Sequence, residues 1–198
     1  SGISITELSR KLKVSKPTAN NMVKSLQEHG WVNYRRYKPL QLTENGRKAA
    51  AKIIRKHRLT EMFLYEVMGF GWEEVHEIAE QVEHIDSAKL FTRMDEMLGH
   101  PSFDPHGSPI PDEDGNVAEQ KSLPLLDIPY GVKVQVCALA NSSTDLLHSL
   151  DEKQIQLGTI IQVLKTEPVD NGILVRLDGK TPIAISEKVG RSLLVRPI

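Results

Sequence analysis

The chain has 198 residues, 39% hydrophobic and 5% aromatic, with a net charge of −1, which gives room for one large domain or two to three small ones in a water-soluble, helix-rich protein. No apolar run reaches the length of a membrane span and no secretory segment opens the chain, so a membrane role is excluded and a cytoplasmic setting is expected. The single cysteine, Cys137, excludes an internal disulfide framework and a thiolate metal cluster.

The near-zero net charge hides an asymmetry. Residues 1–60 hold 14 of the 25 Lys and Arg but 3 of the 26 Asp and Glu, a net of +11, and residues 61–198 carry a net of −12. A basic block joined to an acidic one points to a polyanion-binding module followed by something else.

In the basic block, Ser4 and Glu7 form a Ser-x-x-Glu capping box, and Ile5, Leu8 and Leu12 follow at helical spacing. Ser15 caps a second helix with Pro17 in its first turn, Met22, Val23 and Leu26 as its buried stripe, and Gly30 as its stop. Two short helices around a tight turn read as a helix-turn-helix, whose second helix presents its N-terminal residues to base edges. Here these are Ser15, Lys16, Pro17, Thr18, Asn20, Asn21 and Lys24. Asn pairs with adenine, the Thr methyl meets thymine, and Lys binds phosphate or guanine. The segment WVNYRRYKPLQLT then reads as a hairpin with a basic tip, the wing of a winged helix, with Arg35, Arg36 and Lys38 along phosphates. His29 and Trp31 are expected to pack in the core. Thr43 caps a long helix beginning ENGRKAAAKIIRKHRL, on which His57 and Glu61 share a face.

Across the short MGFGW connection comes WEEVHEIAEQVEH, residues 72–84. At about 100° per residue, Glu80, Glu83 and His84 lie about 40°, 20° and 80° from His76, all inside one arc of about 100°. Val75, Ile78, Ala79, Val82 and Ile85 take the opposite side. One face is therefore built for a core, and the other gathers imidazoles and carboxylates, either as a solvated polar surface or as the donors of a metal ion. The tight turn makes the two helices neighbours, so His57 and Glu61 can converge with an imidazole of the second. Further on, PDEDGNVAEQKS, residues 111–122, reads as a linker, and VKVQVCALA and GTIIQVLK, with turns at DNG and DGK, read as a β domain in which Cys137 is a buried apolar group. His100 and His106, in a Pro/Gly-rich loop, read as structural or solvated.

The motifs SKPTANNMVKSLQEHGWV, LTENGRKAA, RKHRLTEMFL, VHEIAEQVEH and FDPHGSPIP, in this order, resemble the diphtheria-toxin-repressor family of metal-dependent transcription regulators, closest to its manganese-responsive members. The resemblance covers residues 1–116 strongly and the remainder more weakly. It implies an α+β chain of three parts: a winged helix-turn-helix over 1–55, a helical dimerisation and metal-binding domain with a Pro-rich linker over 56–120, and a small SH3-like (FeoA-like) β-barrel over 121–198. It also implies two metal sites per subunit: a primary, regulatory site of Glu80, Glu83 and His84, and an ancillary site of His57, Glu61 and His76. In some relatives the β domain completes the ancillary site; Asp145 is the best match here, with His148 behind it. Members of the family begin with a further helix that supplies an acidic or methionine ligand to the primary site, and this sequence starts where the next helix begins. Iron-responsive members carry a cysteine at the position of Glu80 and manganese-responsive ones a glutamate, so Mn²⁺ is the expected metal and Fe²⁺ the alternative.

The resulting expectation is a homodimeric repressor of metal-uptake genes, with metal as co-repressor, that binds a palindromic double-stranded operator and takes no small organic substrate. Residues 62–98, including Leu90, Phe91, Met94 and Leu98, supply its core and dimer face. Two rivals stand beside it: a metallohydrolase, although no nucleophile or phosphate-binding loop is marked, and a DNA-binding protein answering to another ligand.

Overall fold

The computed structural model describes residues 2–35, 38–166 and 172–198. The chain divides into two units, the residues up to Arg55 with Pro111–Asn116, and Lys56–Ile110 with Val117–Ile198.

In the first unit the helix starts are set by the expected caps. The Ser4 hydroxyl accepts the Glu7 N–H at 3.1 Å before α1 (Ile5–Lys11), and the Ser15 hydroxyl accepts the Thr18 N–H at 3.2 Å before α2 (Lys16–Glu28). On α2, Ala19 and Val23 are fully buried and Leu26 half-buried, whereas Met22 is 45% exposed. The stripe centres on Ala19: Val23 and Leu26 fall within about 40° of it and Met22 about 60° away, at the margin. The expectation for His29 and Trp31 is likewise corrected. Both rings are exposed and lean on each other with centroids 4.9 Å apart. Gly30, at φ 71°, turns the chain after α2 so that Val32, 3% exposed, enters the core in their place.

The wing strands β1 (Val32–Asn33) and β2 (Gln41–Leu42) pair antiparallel, with Val32 opposite Leu42. Arg36 lies outside the described residues. Thr43 donates to the Gly30 carbonyl at 2.6 Å and accepts the Gly46 N–H at 2.9 Å, opening α3 (Glu44–Glu66). The boundary between the units falls inside this helix. The acidic segment is irregular: Asp112 accepts the backbone N–H groups of Asp114 and Asn116, and the Pro111 carbonyl accepts from Arg55.

In the second unit, α4 spans Val75–Val82, shorter than the expected 72–84. Trp72, Glu73 and Glu74 form a turn instead, closed by the Gly71 N–H on the Glu74 carboxylate (2.8 Å) and the Glu74 N–H on the Gly71 carbonyl (3.0 Å). Ser87 caps α5 (Ala88–Met97). Val75, Ala79 and Phe91 are buried, Ile78, Val82, Leu90, Met94 and Leu98 are half-buried, and Ile85 and Met97 are exposed.

The remainder is a six-stranded antiparallel sheet in the order β3 (Leu123–Pro124), β8 (Leu193–Pro197), β4 (Lys133–Leu139), β5 (Ile160–Thr166), β6 (Ile173–Leu177) and β7 (Ile183–Ile185). Inward residues alternate along each strand, and irregularities at Val136/Ala138 and Val163/Lys165 bend β4 and β5 as a curled SH3-like sheet requires. Two helices join it, α6 (Thr144–Glu152) and α7 (Glu187–Ser192). Leu146, Leu147 and Leu150 of α6 enter the same apolar core as the strands, and so does Trp72. Cys137 is half-buried on β4, its thiol on the Leu194 carbonyl.

Candidate metal centre

His57 and Glu61 stand one turn apart on α3, and His76 is in the first turn of α4. Their atoms close into a near-equilateral triangle. His57 Nε2 is 3.0 Å from Glu61 Oε1 and 3.1 Å from His76 Nδ1, and His76 Nδ1 is 3.1 Å from Glu61 Oε1. Protons can satisfy only two sides of such a triangle. If both rings donate to Glu61, two N–H groups oppose each other; if one ring donates to the other, a lone pair of the second faces the carboxylate. A cation satisfies all three donors together.

The second oxygen of Glu61 faces another group. Glu61, Asp104 and His106 offer ligand atoms within 4.8 Å of one another, and all three are buried. His106 Nδ1 is 3.9 Å from Glu61 Oε2, and His106 Nε2 meets the Trp72 carbonyl at 2.8 Å. Asp104 Oδ1 accepts the N–H groups of His106 and Ser108, both at 2.9 Å, while Oδ2 lies 3.5 Å from Arg58 Nε. His106, expected to be structural or solvated, is buried, and Asp104 is buried beside it; Asp-Pro-His-Gly places a carboxylate and an imidazole two residues apart before a glycine at φ 82°.

These groups perturb one another. Burial raises the Asp104 carboxyl, and the Glu61 charge raises it further, against the hydrogen bonds from Ser108 and His106. Burial also works to raise Glu61, but the hydrogen bond and charge of His57, with help from His106 and His76, hold it below its ordinary range. His57 is raised, first by the Glu61 hydrogen bond, against burial, with Glu83 adding to the rise. Two buried carboxylates with three imidazoles and no thiolate make a donor set that fits a hard or borderline divalent cation.

A pH dependence follows. The raised His57 contributes stability to the metal-free protein that is fully present below its ordinary value of 6.5 and lost as pH rises through its folded value. The lowered Glu61 contributes stability present above 4.5 and lost as pH falls through its folded value. The metal-free protein should therefore lose thermal stability as pH rises above 6.5 and through the raised His57 value. Over the same range Mn²⁺ affinity should climb, because the metal needs His57 deprotonated. Melting curves with chelator and with Mn²⁺ at several pH values check this, and parallel pH profiles in the two would contradict it.

The residues assigned to the primary site are placed differently. Glu80 is exposed on α4, and His84 is exposed in the turn beyond it. Glu83, at the C-cap of α4, points its Oε2 at His57 Nδ1, 2.7 Å away, while its Oε1 is 3.9 Å from His84 Nε2. Among the described residues these three form no ligand group of their own. Asp145 and His148 are exposed on α6 and join no ligand group among the described residues, because that helix turns its leucines inward. His100 is exposed and bonded to Asp95 at 2.9 Å.

In the first unit Lys16, Pro17, Thr18, Asn21, Lys24, Arg35 and Lys38 are exposed and Asn20 half-buried. Ser15 is committed to its cap and to the Thr18 hydroxyl at 2.8 Å. A cavity of about 520 Å³ opens between Ser4, Thr6, Lys16, Asn20, Tyr34 and Lys38.

Comparison with known proteins gives the same picture. Residues 1–40 match the N-terminal DNA-binding domain of the iron-dependent repressors, residues 43–112 their metal-binding and dimerisation domain, and residues 123–197 the FeoA domain. The iron-dependent repressor IdeR of Mycobacterium leprae is 28% identical over 203 residues, covering 96% of this chain and 87% of that protein. A manganese-dependent transcriptional repressor in complex with manganese superposes with a TM-score of 0.91 at 30% identity, over 100% of this chain and 92% of that one. ScaR with bound Cd²⁺ superposes at 0.85 and 28% identity, over 100% and 92%. The chain therefore belongs to the iron-dependent repressor family, that of the diphtheria toxin repressor.

Proposed function

We propose that this protein is a homodimeric, metal-activated repressor that binds double-stranded operator DNA, with Mn²⁺ as co-repressor, Fe²⁺ as the alternative, and metal-uptake genes as targets. The observation that carries the metal reading is the triangle of His57, Glu61 and His76, whose three sides hydrogen bonds cannot all satisfy. Its O/N donors suit a divalent cation, Mn²⁺, Fe²⁺ and Zn²⁺ alike, so the choice of metal rests on other grounds. The manganese complex of a relative and the Glu80 position support manganese. An ion would be held by His57, Glu61 and His76 and another by Glu61, Asp104 and His106, and Glu80, Glu83 and His84 would form the regulatory site. The chain divides functionally near residues 55 and 120, and the half-buried faces of α4 and α5 serve dimerisation.

The metal acts only through its differential affinity for the DNA-competent state. It supplies positive charge that draws these donors together. The protein supplies the buried Glu61 and Asp104, the oriented imidazoles, and a surface for DNA. On that surface Asn21 and Lys24 face base edges, while Lys16, Arg35 and Lys38 lie along phosphates. Arg35→Ala and Lys38→Ala should weaken binding to all sequences and flatten its salt dependence, each by about one unit of slope. Asn21→Ala should relax sequence preference at a cost of about 1–3 kcal/mol on operator DNA. Equal losses on random and operator DNA would remove Asn21 from base reading.

The deciding experiment is operator binding at fixed salt with Mn²⁺, anaerobic Fe²⁺, Zn²⁺ or chelator. Activation by Mn²⁺ supports the reading, and preference for Fe²⁺ keeps the mechanism and changes the metal. Binding indifferent to metal and chelator overturns it.

A further inference from the structure

We propose that Asp151, on α6, is a positioning residue for the metal centre: it fixes Trp72, and Trp72 fixes His106 with Nδ1 free toward Glu61. The proposal rests on the reading of His106 as a ligand. Asp145 and His148 of the same helix are exposed, so this is an indirect route by which the sheet-bearing part reaches the metal.

The chain of contacts is continuous. The Trp72 indole N–H points between the two oxygens of Asp151, 3.1 Å from each. The ring is 8% exposed and belongs to the apolar core built by the sheet and α6. The backbone carbonyl of Trp72 meets His106 Nε2 at 2.8 Å. A carbonyl only accepts, so Nε2 carries the proton and neutral His106 keeps its lone pair on Nδ1, the atom that faces Glu61 Oε2. The two rings stack with centroids 6.1 Å apart and planes at 22°. The sheet also holds His106 by its backbone, since its carbonyl accepts the Leu139 N–H at 2.9 Å.

Trp72 has space to leave this position. A cavity of about 400 Å³ lies beside it, lined by Met62, Trp72, Asp104, Asp151 and Leu157. Without an acceptor at Asp151 the indole N–H loses its partner and the ring can swing toward this cavity, taking the backbone at Trp72 with it. His106 then loses the acceptor that sets its tautomer. Partners that orient a metal-bound imidazole in this way commonly change metal affinity by about 10- to 100-fold.

The test uses the full chain with Trp31→Phe, leaving Trp72 as the sole tryptophan, and follows free Mn²⁺ by electron paramagnetic resonance and Trp72 emission during titration. In the parent, Mn²⁺ binding should quench Trp72, and His106→Ala should abolish that quenching and one binding event. Asp151→Ala should weaken the same event at least about tenfold while the melting point of the metal-free protein stays within a few degrees. Asp151→Asn, which keeps an acceptor oxygen, should restore most of the affinity. If Asp151→Ala fails to fold, Trp72→Phe, which keeps an apolar aromatic ring and loses the N–H, should show the same weakening by resonance. Unchanged Mn²⁺ binding in His106→Ala overturns His106 as a ligand and the proposal with it. A lost event in His106→Ala beside parental affinity in Asp151→Ala leaves the ligand in place and overturns the positioning role, as does failure of Asp151→Asn to rescue.

Discussion

Glu61→Ala should abolish metal-dependent DNA binding while leaving the helices folded. Glu61 is the one carboxylate shared by both ligand groups. Its Oε1 forms two sides of the His57–His76 triangle, and its Oε2 faces His106. Removing it takes a negative ligand from both groups at once, and metal affinity should fall on the order of 100-fold or more. The cost to the metal-free fold is modest, about 1–3 kcal/mol for the lost hydrogen bonds. His57 keeps Glu83 as partner, and Asp104 is relieved of a neighbouring charge. Glu61→Gln is the informative companion. It keeps one oxygen and the side-chain volume, so affinity should lie between that of the alanine variant and the parent. Mn²⁺ titration and operator binding over a range of Mn²⁺ concentrations read both effects. Parental Mn²⁺ binding by Glu61→Ala would remove this residue from the site.

Gly107→Ala should be the most destructive small substitution in the second unit. Gly107 sits at φ 82°, where an L side chain is strained by about 1–2 kcal/mol. A Cβ there would also lie 2.3 Å from the Cys137 carbonyl and 2.6 Å from the Ala138 Cα, both backbone atoms of β4 that cannot rotate away. Either the loop or the strand must move, at a total of about 3 kcal/mol or more. His106 is the adjacent residue and its carbonyl pairs with Leu139, so metal binding should fall with stability. Gly131→Ala is the matched control. It has φ 80° but nothing within 4 Å of the new Cβ, so it should cost only the same backbone term of about 1–2 kcal/mol. Thermal melts of the two variants separate the contributions, and equal melting points would show that the approach to β4 costs nothing.

What the sequence conveyed well was local. The caps at Ser4, Ser15 and Thr43 depend on residues three apart, and the hydroxyls accept the expected N–H groups. The His57–Glu61 pair is one helical turn, and a short connection brought His76 to it, as helix spacing implied. What stayed hidden was set by tertiary contact. His106 meets the Trp72 carbonyl 34 residues away, and Asp151 meets the Trp72 indole 79 residues away; no periodicity carries either pairing. Met22 and Trp31 misled because an apolar residue at the margin of a stripe, or beside a helix-ending glycine, follows the path of the backbone rather than its own hydropathy. The hydrogen bond between Glu83 and His57 joins two helices, so an angular arc on one helix does not reveal it.

The strand order has a consequence for solution behaviour. Among the described residues the sheet ends at β3 and β7, strands of two and three residues, and β3 contains Pro124, which has no N–H to offer. Edges this short give an incoming strand almost no ladder to extend. Strand addition at the edges of this sheet is thereby disfavoured, and raising the protein concentration should not seed fibres from them.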